Sequence, residues 1–448
     1  MDKKIWIKDP TAVWTGNQLA AARGIVVEGN RIIELVEQEP AAAVDEVFDA
    51  SNQVLLPGLV NCHHHFYQTL TRAFPEALDK ELFEWLVSLY PVWANLDEAA
   101  IRASTTTALC ELLLSGCTTT TDHHYVFSTS TGRAIDVQAD VAAQLGIRAI
   151  LTRGSMSLGE SSGGLPPDKV VQSPDDILRD SERLITEFHD SAEDSMLQIA
   201  LAPCSPFSVT TELMRDSAVL AREHKVLLHT HLAETLDENE FCLEMFGKRP
   251  VDYLEEVGWL ADDVWLAHGI HFNPDEIERL GKARVAVSHC PSSNMILASG
   301  SCPVPALRAA GSPVGLGVDG SASNDCSNMM QELRQAFLLQ RLAHGASAFS
   351  HEDALQIATA GGAALFKRDS IGEIAPGKLA DIALFDLEEL RFSGAGDPVA
   401  ALVLCGAHRA SAVMVNGKWR VQDGALVDID IDAVRTEHQT AATTLWNA

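Results

Sequence analysis

Short apolar runs alternate with longer amphipathic stretches through most of this chain, and the two ends depart from that rhythm. Near the N-terminus, Gly24–Glu28 and Arg31–Leu35 flank Gly29-Asn30, a hairpin turn signal. Near the C-terminus, Asp381–Phe385 and Ala412–Val415 are strand-like, and Asn416-Gly417 and Asp423-Gly424 are turns. Two β-rich ends around a long middle predict one small β-sandwich domain, built from residues 1–57 and 371–448.

The middle predicts eight strands. They are Val54–Leu56 leading to His63, Thr118–Thr121 ending at Asp122, Ile147–Leu151 before Arg153, and Leu197–Leu201 before Pro203. Val226–His229 ends at His231, Val264–Ala267 at His268, Arg284–Val287 near His289 and Val314–Val318 at Asp319. Helical stretches lie between them. One is capped by Ser173-Pro174-Asp175-Asp176 and runs to about His189; others span Thr210 to His224 and Asn273 to Gly281. Eight strand–helix units predict an α/β fold, a (β/α)8 TIM barrel over residues 58–370. A doubly wound open sheet would want a glycine-rich turn after its first strand, where His63 and His65 stand instead. Residues 155–172, rich in Gly and Pro, form a long loop expected to shape a pocket.

Composition narrows the function. A chain of 448 residues with 46% hydrophobic and 21% charged positions is an ordinary globular chain, too apolar for disorder. Its formal net charge of −29 repels phosphate backbones and argues against a nucleic-acid partner. No apolar run is long enough to span a bilayer, and Met1–Ile7 lacks the features of a signal peptide. Nine dispersed cysteines without CxxC spacing suggest reduced thiols in the cytoplasm.

Candidate chemistry collects at the strand ends. His63 and His65 are two apart, so a strand presents both imidazoles on one side, half of a zinc-type site. The fifth strand adds His231 and, three residues on, Glu234; the sixth adds His268, the seventh His289 and the eighth Asp319. Each alone has a plainer reading as a satisfied core or turn residue. Recurrence at successive strand ends, which meet at one face of a barrel, argues for a site. His229 is expected to sit off the ligand face in a structural role.

The chain resembles the amidohydrolase superfamily, in its deaminase and chlorohydrolase branch. The motifs are Pro57–His65, His231-Leu232-Ala233-Glu234-Thr235, Ala267-His268-Gly269, Ser288–Asn294, Gly317-Val318-Asp319-Gly320 and Ile371–Asp381. Their order and spacing both agree, over essentially the whole chain. The resemblance implies one divalent metal per subunit, zinc or alternatively iron, held by His63, His65, His231 and Asp319. It implies that Glu234 shuttles protons, that His268 orients the attacking water, and that Asp319 takes a proton from that water. The plainer reading of Glu234 is a first-turn helix acid. No lysine ends the fourth strand, where Ala202–Pro206 stands, which argues for a single metal. By the same analogy the chain is expected to form a homo-oligomer.

Three whole loops, Cys62–Arg72, Asp122–Phe127 and Arg153–Pro167, are similar to those of the branch's 8-oxoguanine deaminases. That implies a small nitrogen heterocycle as substrate, most simply 8-oxoguanine converted to urate and ammonia. Isoxanthopterin, guanine and triazines remain alternatives, as does a barrel that binds without catalysis. Gln68 suits a purine edge, and Arg153 an oxygen of the ring, unless it is a rim salt bridge. Trp85 and Tyr125 could wall the ring or simply pack. His124 and Cys204 are further candidates for the pocket, with His123 and His289 behind them.

Overall fold

The computed structural model describes residues 3–128 and 130–448. Eight parallel strands close into a barrel. They are β1 (Leu59–Asn61), β2 (Cys117–His124), β3 (Arg148–Ser155), β4 (Leu197–Pro203), β5 (Leu228–Leu232), β6 (Val264–His268), β7 (Ala286–His289) and β8 (Val314–Leu316). Pairing of Leu316 with Asn61 closes the ring. The predicted helices are present: Pro174–Phe188 starts from a Ser173 cap, Thr211–His224 from a Thr210 cap, and Pro274–Ala283 from an Asn273–Glu276 capping box.

One predicted strand belongs elsewhere. The run leading to His63 is two strands, broken at Gly58. Gln53–Pro57 pairs antiparallel with Ile382–Asp386 in the terminal sheet, while Leu59–Asn61 enters the barrel. Gly58 allows the step because its Cα packs against Thr118, leaving no room for a Cβ. An unbroken apolar run does not reveal such a switch, since residues 54–57 and 59–61 are all buried.

The termini build two sheets. One has four strands, including Lys4–Lys8, Gly24–Glu28 and Arg31–Leu35; the other has seven, including Ile382–Asp386 and Ala412–Val415. Residues of both, among them Ile7, Val27, Leu55, Ile382 and Met414, share one core, so the two sheets pack as a sandwich. A buried clasp joins this sandwich to the barrel. Arg148 of β3 meets Asp381 at 3.1 Å, and Asp381 also accepts from Asn416 N–H. Removing one partner of such a pair costs about 3–5 kcal/mol, because the other charge is left buried and alone. The C-terminal helix Ile431–Trp446 leaves the sandwich and packs on helix Glu98–Leu114 of the barrel. Its Trp446 Nε1 donates to Leu70 O at 2.7 Å, which fastens the turn that follows His65.

Among the described residues, none of the cysteines is paired, and no helix is long and apolar enough to cross a membrane.

Candidate metal and substrate site

Alternation along the strands aims the polar side chains. In β5, His229 and His231 share the barrel interior, one layer apart; in β2, His123 points in and His124 out. At the ends of β6 and β8 the chain turns through the left-handed region, with φ of 68° at His268 and 63° at Asp319. Side-chain-bearing residues rarely sit there, and each such conformation costs about 1–3 kcal/mol. The turns bring both side chains over the barrel axis. Gly317 lets β8 approach β1 and β7: a Cβ there would meet Ser288 Oγ at 2.5 Å and His63 Cβ at 2.8 Å.

Four groups converge at that point. His63 Nε2 and His65 Nε2 lie 3.3 and 3.4 Å from Asp319 Oδ1, and His65 Nε2 lies 3.2 Å from His231 Nε2. The hydrogen bonds behind them fix what these atoms are. His65 Nδ1 donates to His123 O at 2.7 Å, and His231 Nδ1 donates to Cys204 O at 2.7 Å. Both Nε2 atoms of these neutral rings therefore carry lone pairs, and two lone pairs at 3.2 Å do not make a hydrogen bond. His63 Nε2 is buried and has no hydrogen-bond partner among the described residues. Burial keeps the rings uncharged: it drives His65 down to about 3 and His231 well below the ordinary histidine range. Burial works against an ionised Asp319, and positive charge among the groups it faces, His63, His268 and His65, would hold its carboxyl well below the ordinary range. Three bare imidazole nitrogens and a carboxylate directed at one point fit a divalent cation such as zinc.

Glu234 and His268 face this cluster. His268 Nδ1 donates to Asn294 Oδ1 at 2.9 Å, which turns Nε2 toward Glu234 Oε2 at 3.4 Å and Asp319 Oδ2 at 3.7 Å. Burial lowers the His268 pKa, yet Glu234 and Asp319 together leave it raised. Glu234 follows Ala233, itself left-handed at φ 54°. The buried carboxylate of Glu238 accepts from Ala233 N–H at 2.8 Å and Glu234 N–H at 3.1 Å, holding that turn. Burial pushes Glu234 up to about 7.

Above the cluster a cavity opens to solvent. Gln68, Trp85, Tyr125 and Cys204 line it, with Glu234, His268 and Asp319 at its floor. Arg153 and His124 do not line it. Both point out of the barrel, because they fall on the outward positions of β3 and β2. Arg153 Nε donates to Asp180 at 2.7 Å and Nη2 to Gln172 at 2.8 Å, and its guanidinium lies over Phe127. Arg153 thus makes the salt bridge of its plainer reading, with Asp180. His124 packs on Phe127 and Tyr67. His289 also lies off the cavity, hydrogen-bonded to Gln340. His229 shares the interior face with His231, contrary to the expectation that it lies off it, and contacts His63 rather than the cavity.

A family model described as the amidohydrolase family matches residues 54–420. The chain belongs to the amidohydrolase family. Its relatives within that family act on several rings. It is 59% identical to the 8-oxoguanine deaminase of Pseudomonas aeruginosa, over 99% of both chains. It is 35% identical to an isoxanthopterin deaminase of an unknown prokaryotic organism, over 86% of this chain and 84% of that one. The atrazine chlorohydrolase of Arthrobacter aurescens, solved with zinc, superposes with a TM-score of 0.93 at 31% identity, covering 98% of this chain and all of that one.

Several lining residues of this amidohydrolase escaped the sequence reading. Leu82, Leu86 and Tyr90 line the cavity beside Trp85. They share one face of helix Leu82–Trp93 at helical spacing, so an amphipathic reading of that stretch would have found them. Trp85 Nε1 donates to Ala322 O at 3.0 Å and so pins this helix to the segment after β8. Phe207 lines the cavity three residues after Cys204. The loop 155–172 lies behind it rather than in the lining: Ser157 and Leu158 N–H donate to Ser208 O, and Leu165 N–H to Phe207 O.

Proposed function

We propose that this amidohydrolase removes the exocyclic amine of 8-oxoguanine by hydrolysis, giving urate and ammonia. In this reading one divalent ion, zinc rather than iron, is held by His63, His65, His231 and Asp319. Near-identity in length and 59% identity to an 8-oxoguanine deaminase carry the substrate assignment. The buried cluster of three lone-pair nitrogens and a carboxylate supports the metal. The bound ion supplies Lewis acidity, which lets water ionise near neutral pH.

The chain's own groups move the protons. Asp319 Oδ1 faces His63 and His65, so Oδ2 is left to accept a proton from the attacking water. His268 Nε2, 3.7 Å from that oxygen, orients the same water. Glu234, near the midpoint of its titration at neutral pH, serves as acid and base in turn. Its proton goes to the ring nitrogen beside the attacked carbon; it then takes a proton from the new hydroxyl. One proton joins the amine as the C–N bond breaks and the carbonyl forms. Water has then given one proton to the ring and one to the departing ammonia, and both carboxyls are restored. Gln68 Oε1, buried and without a hydrogen-bond partner among the described residues, is the acceptor for a ring N–H, and Trp85 and Tyr125 flank the ring. On this reading residues 58–370 are the catalytic unit, and residues 1–57 with 371–448 are the sandwich that braces it.

The test is turnover of 8-oxoguanine by zinc-loaded protein, read as urate and ammonia in equal amounts. Turnover of isoxanthopterin or a hydroxylated triazine, with none of 8-oxoguanine, would overturn the substrate and keep the reaction class. Glu234→Gln should lower turnover by roughly 10²–10⁴-fold while metal content stays at the wild-type level. Unchanged turnover in that variant would remove Glu234 from the chemistry.

A further inference from the structure

His65 and His231 are held in their tautomers by backbone carbonyls, but His63 is not. Its Nδ1 meets the ring of another histidine, His229 Nε2, at 2.9 Å. The chemistry of that contact follows from the far side of His229. His229 Nδ1 lies 2.8 Å from Trp265 O, and a carbonyl oxygen only accepts. His229 Nδ1 therefore carries the proton, and its Nε2, in the neutral ring, is an acceptor. His63 Nδ1 must then be the donor, which leaves His63 Nε2 as a bare lone pair directed at Asp319. Both rings are fully buried, so a charged form that could donate from both nitrogens is disfavoured.

The same tryptophan holds the chain of contacts from its other end. The His229 ring stacks on the Trp265 indole at 4.2 Å and 9°, and Trp265 Nε1 donates to Cys62 O at 3.2 Å, the carbonyl just before His63. Strand β6 thus grips β1 at Cys62 through its indole and at His63 through His229. His229 itself lines no part of the cavity.

We propose that His229 is a positioning residue for the metal: it locks the tautomer and ring orientation of His63 and so sets the affinity of the site. This rests on the metal reading above and is independent of the substrate. Outer partners of metal-ligating histidines typically alter affinity by about 10–100-fold when removed. Leucine at 229 keeps the volume and loses the acceptor; glutamine keeps an acceptor of similar reach.

Zinc affinity of the metal-depleted full chain, measured by competition with a chromophoric chelator, should fall by about 10–100-fold in His229→Leu. His229→Gln should recover most of that loss. The rise in Tm on adding zinc should shrink in the same order. A packing role alone would lower the Tm of metal-free and zinc-loaded His229→Leu equally and leave zinc affinity at the wild-type value; that result overturns the proposal. Should His229→Leu not fold, nitrogen-15 spectra of histidine-labelled, metal-free wild-type protein decide. They should show protons on Nδ1 of both His63 and His229, and a proton on Nε2 of His63 would overturn the lock. A zinc-loaded wild-type chain that fails to turn over 8-oxoguanine would count against the substrate reading and not this one.

Discussion

The floor and the wall of the cavity are built by different means. The floor is made of strand ends: His63, His65, His231, His268 and Asp319 hang from β1, β5, β6 and β8, and each is fixed by backbone or buried hydrogen bonds. The wall is made of segments between strands, chiefly helix Leu82–Trp93 and the stretch around Phe207. The floor is polar, buried and fixed by hydrogen bonds; the wall is largely apolar and held by packing. In the proposed reading the chemistry sits on the strand ends, and recognition of the ring falls to the segments between strands.

The largest expected effect is on the floor. In the proposed reading, Asp319→Asn removes an anionic ligand and the proton acceptor together. Turnover should fall roughly 10⁴-fold or more, and elemental analysis should find zinc below one per chain. An Asp319→Asn enzyme that kept its metal and a tenth of its turnover would mean that the floor is not the reactive centre.

The contrast also explains what could be read without coordinates. Barrel strands announce themselves as short buried runs, and a period of two puts His63 with His65 on one side. The floor follows from those two facts plus the topology of a barrel. The same rule, applied along β3 and β2, would have turned Arg153 and His124 outward; a residue type suited to a ring oxygen drew attention away from its parity. The wall carries no such rule. Leu82, Leu86 and Tyr90 are an ordinary amphipathic face until the fold shows that the face covers a barrel mouth. Gly58, where one apolar run crosses from sandwich to barrel, was hidden because both sides of the step are equally buried.

Arg153 gives the next largest effect, and it is one on stability. Its side chain is 1% exposed and paired with Asp180, itself 21% exposed. Arg153→Met keeps the stem volume and lets Asp180 turn to water, so the loss should be about 1–3 kcal/mol, below that of a fully buried pair. Urea unfolding should show the lower midpoint, while KM for the heterocycle stays within about twofold of wild type. A tenfold rise in KM with unchanged stability would return Arg153 to the wall.

The smallest expected effect tests the wall itself. The Tyr90 hydroxyl is buried, has no hydrogen-bond partner among the described residues, and belongs to a side chain that lines the cavity. A buried hydroxyl left unpaired costs about 1–3 kcal/mol, so the proposed function predicts that a bound ring supplies its partner. Tyr90→Phe should therefore make the ligand-free protein no less stable, and should raise KM about 2–10-fold, the worth of one neutral hydrogen bond. Since the hydroxyl lies on the wall, kcat should hardly change. If kcat fell as far as in Glu234→Gln with KM constant, Tyr90 would belong with the proton-moving groups, and the line between floor and wall would have to be redrawn through the helix.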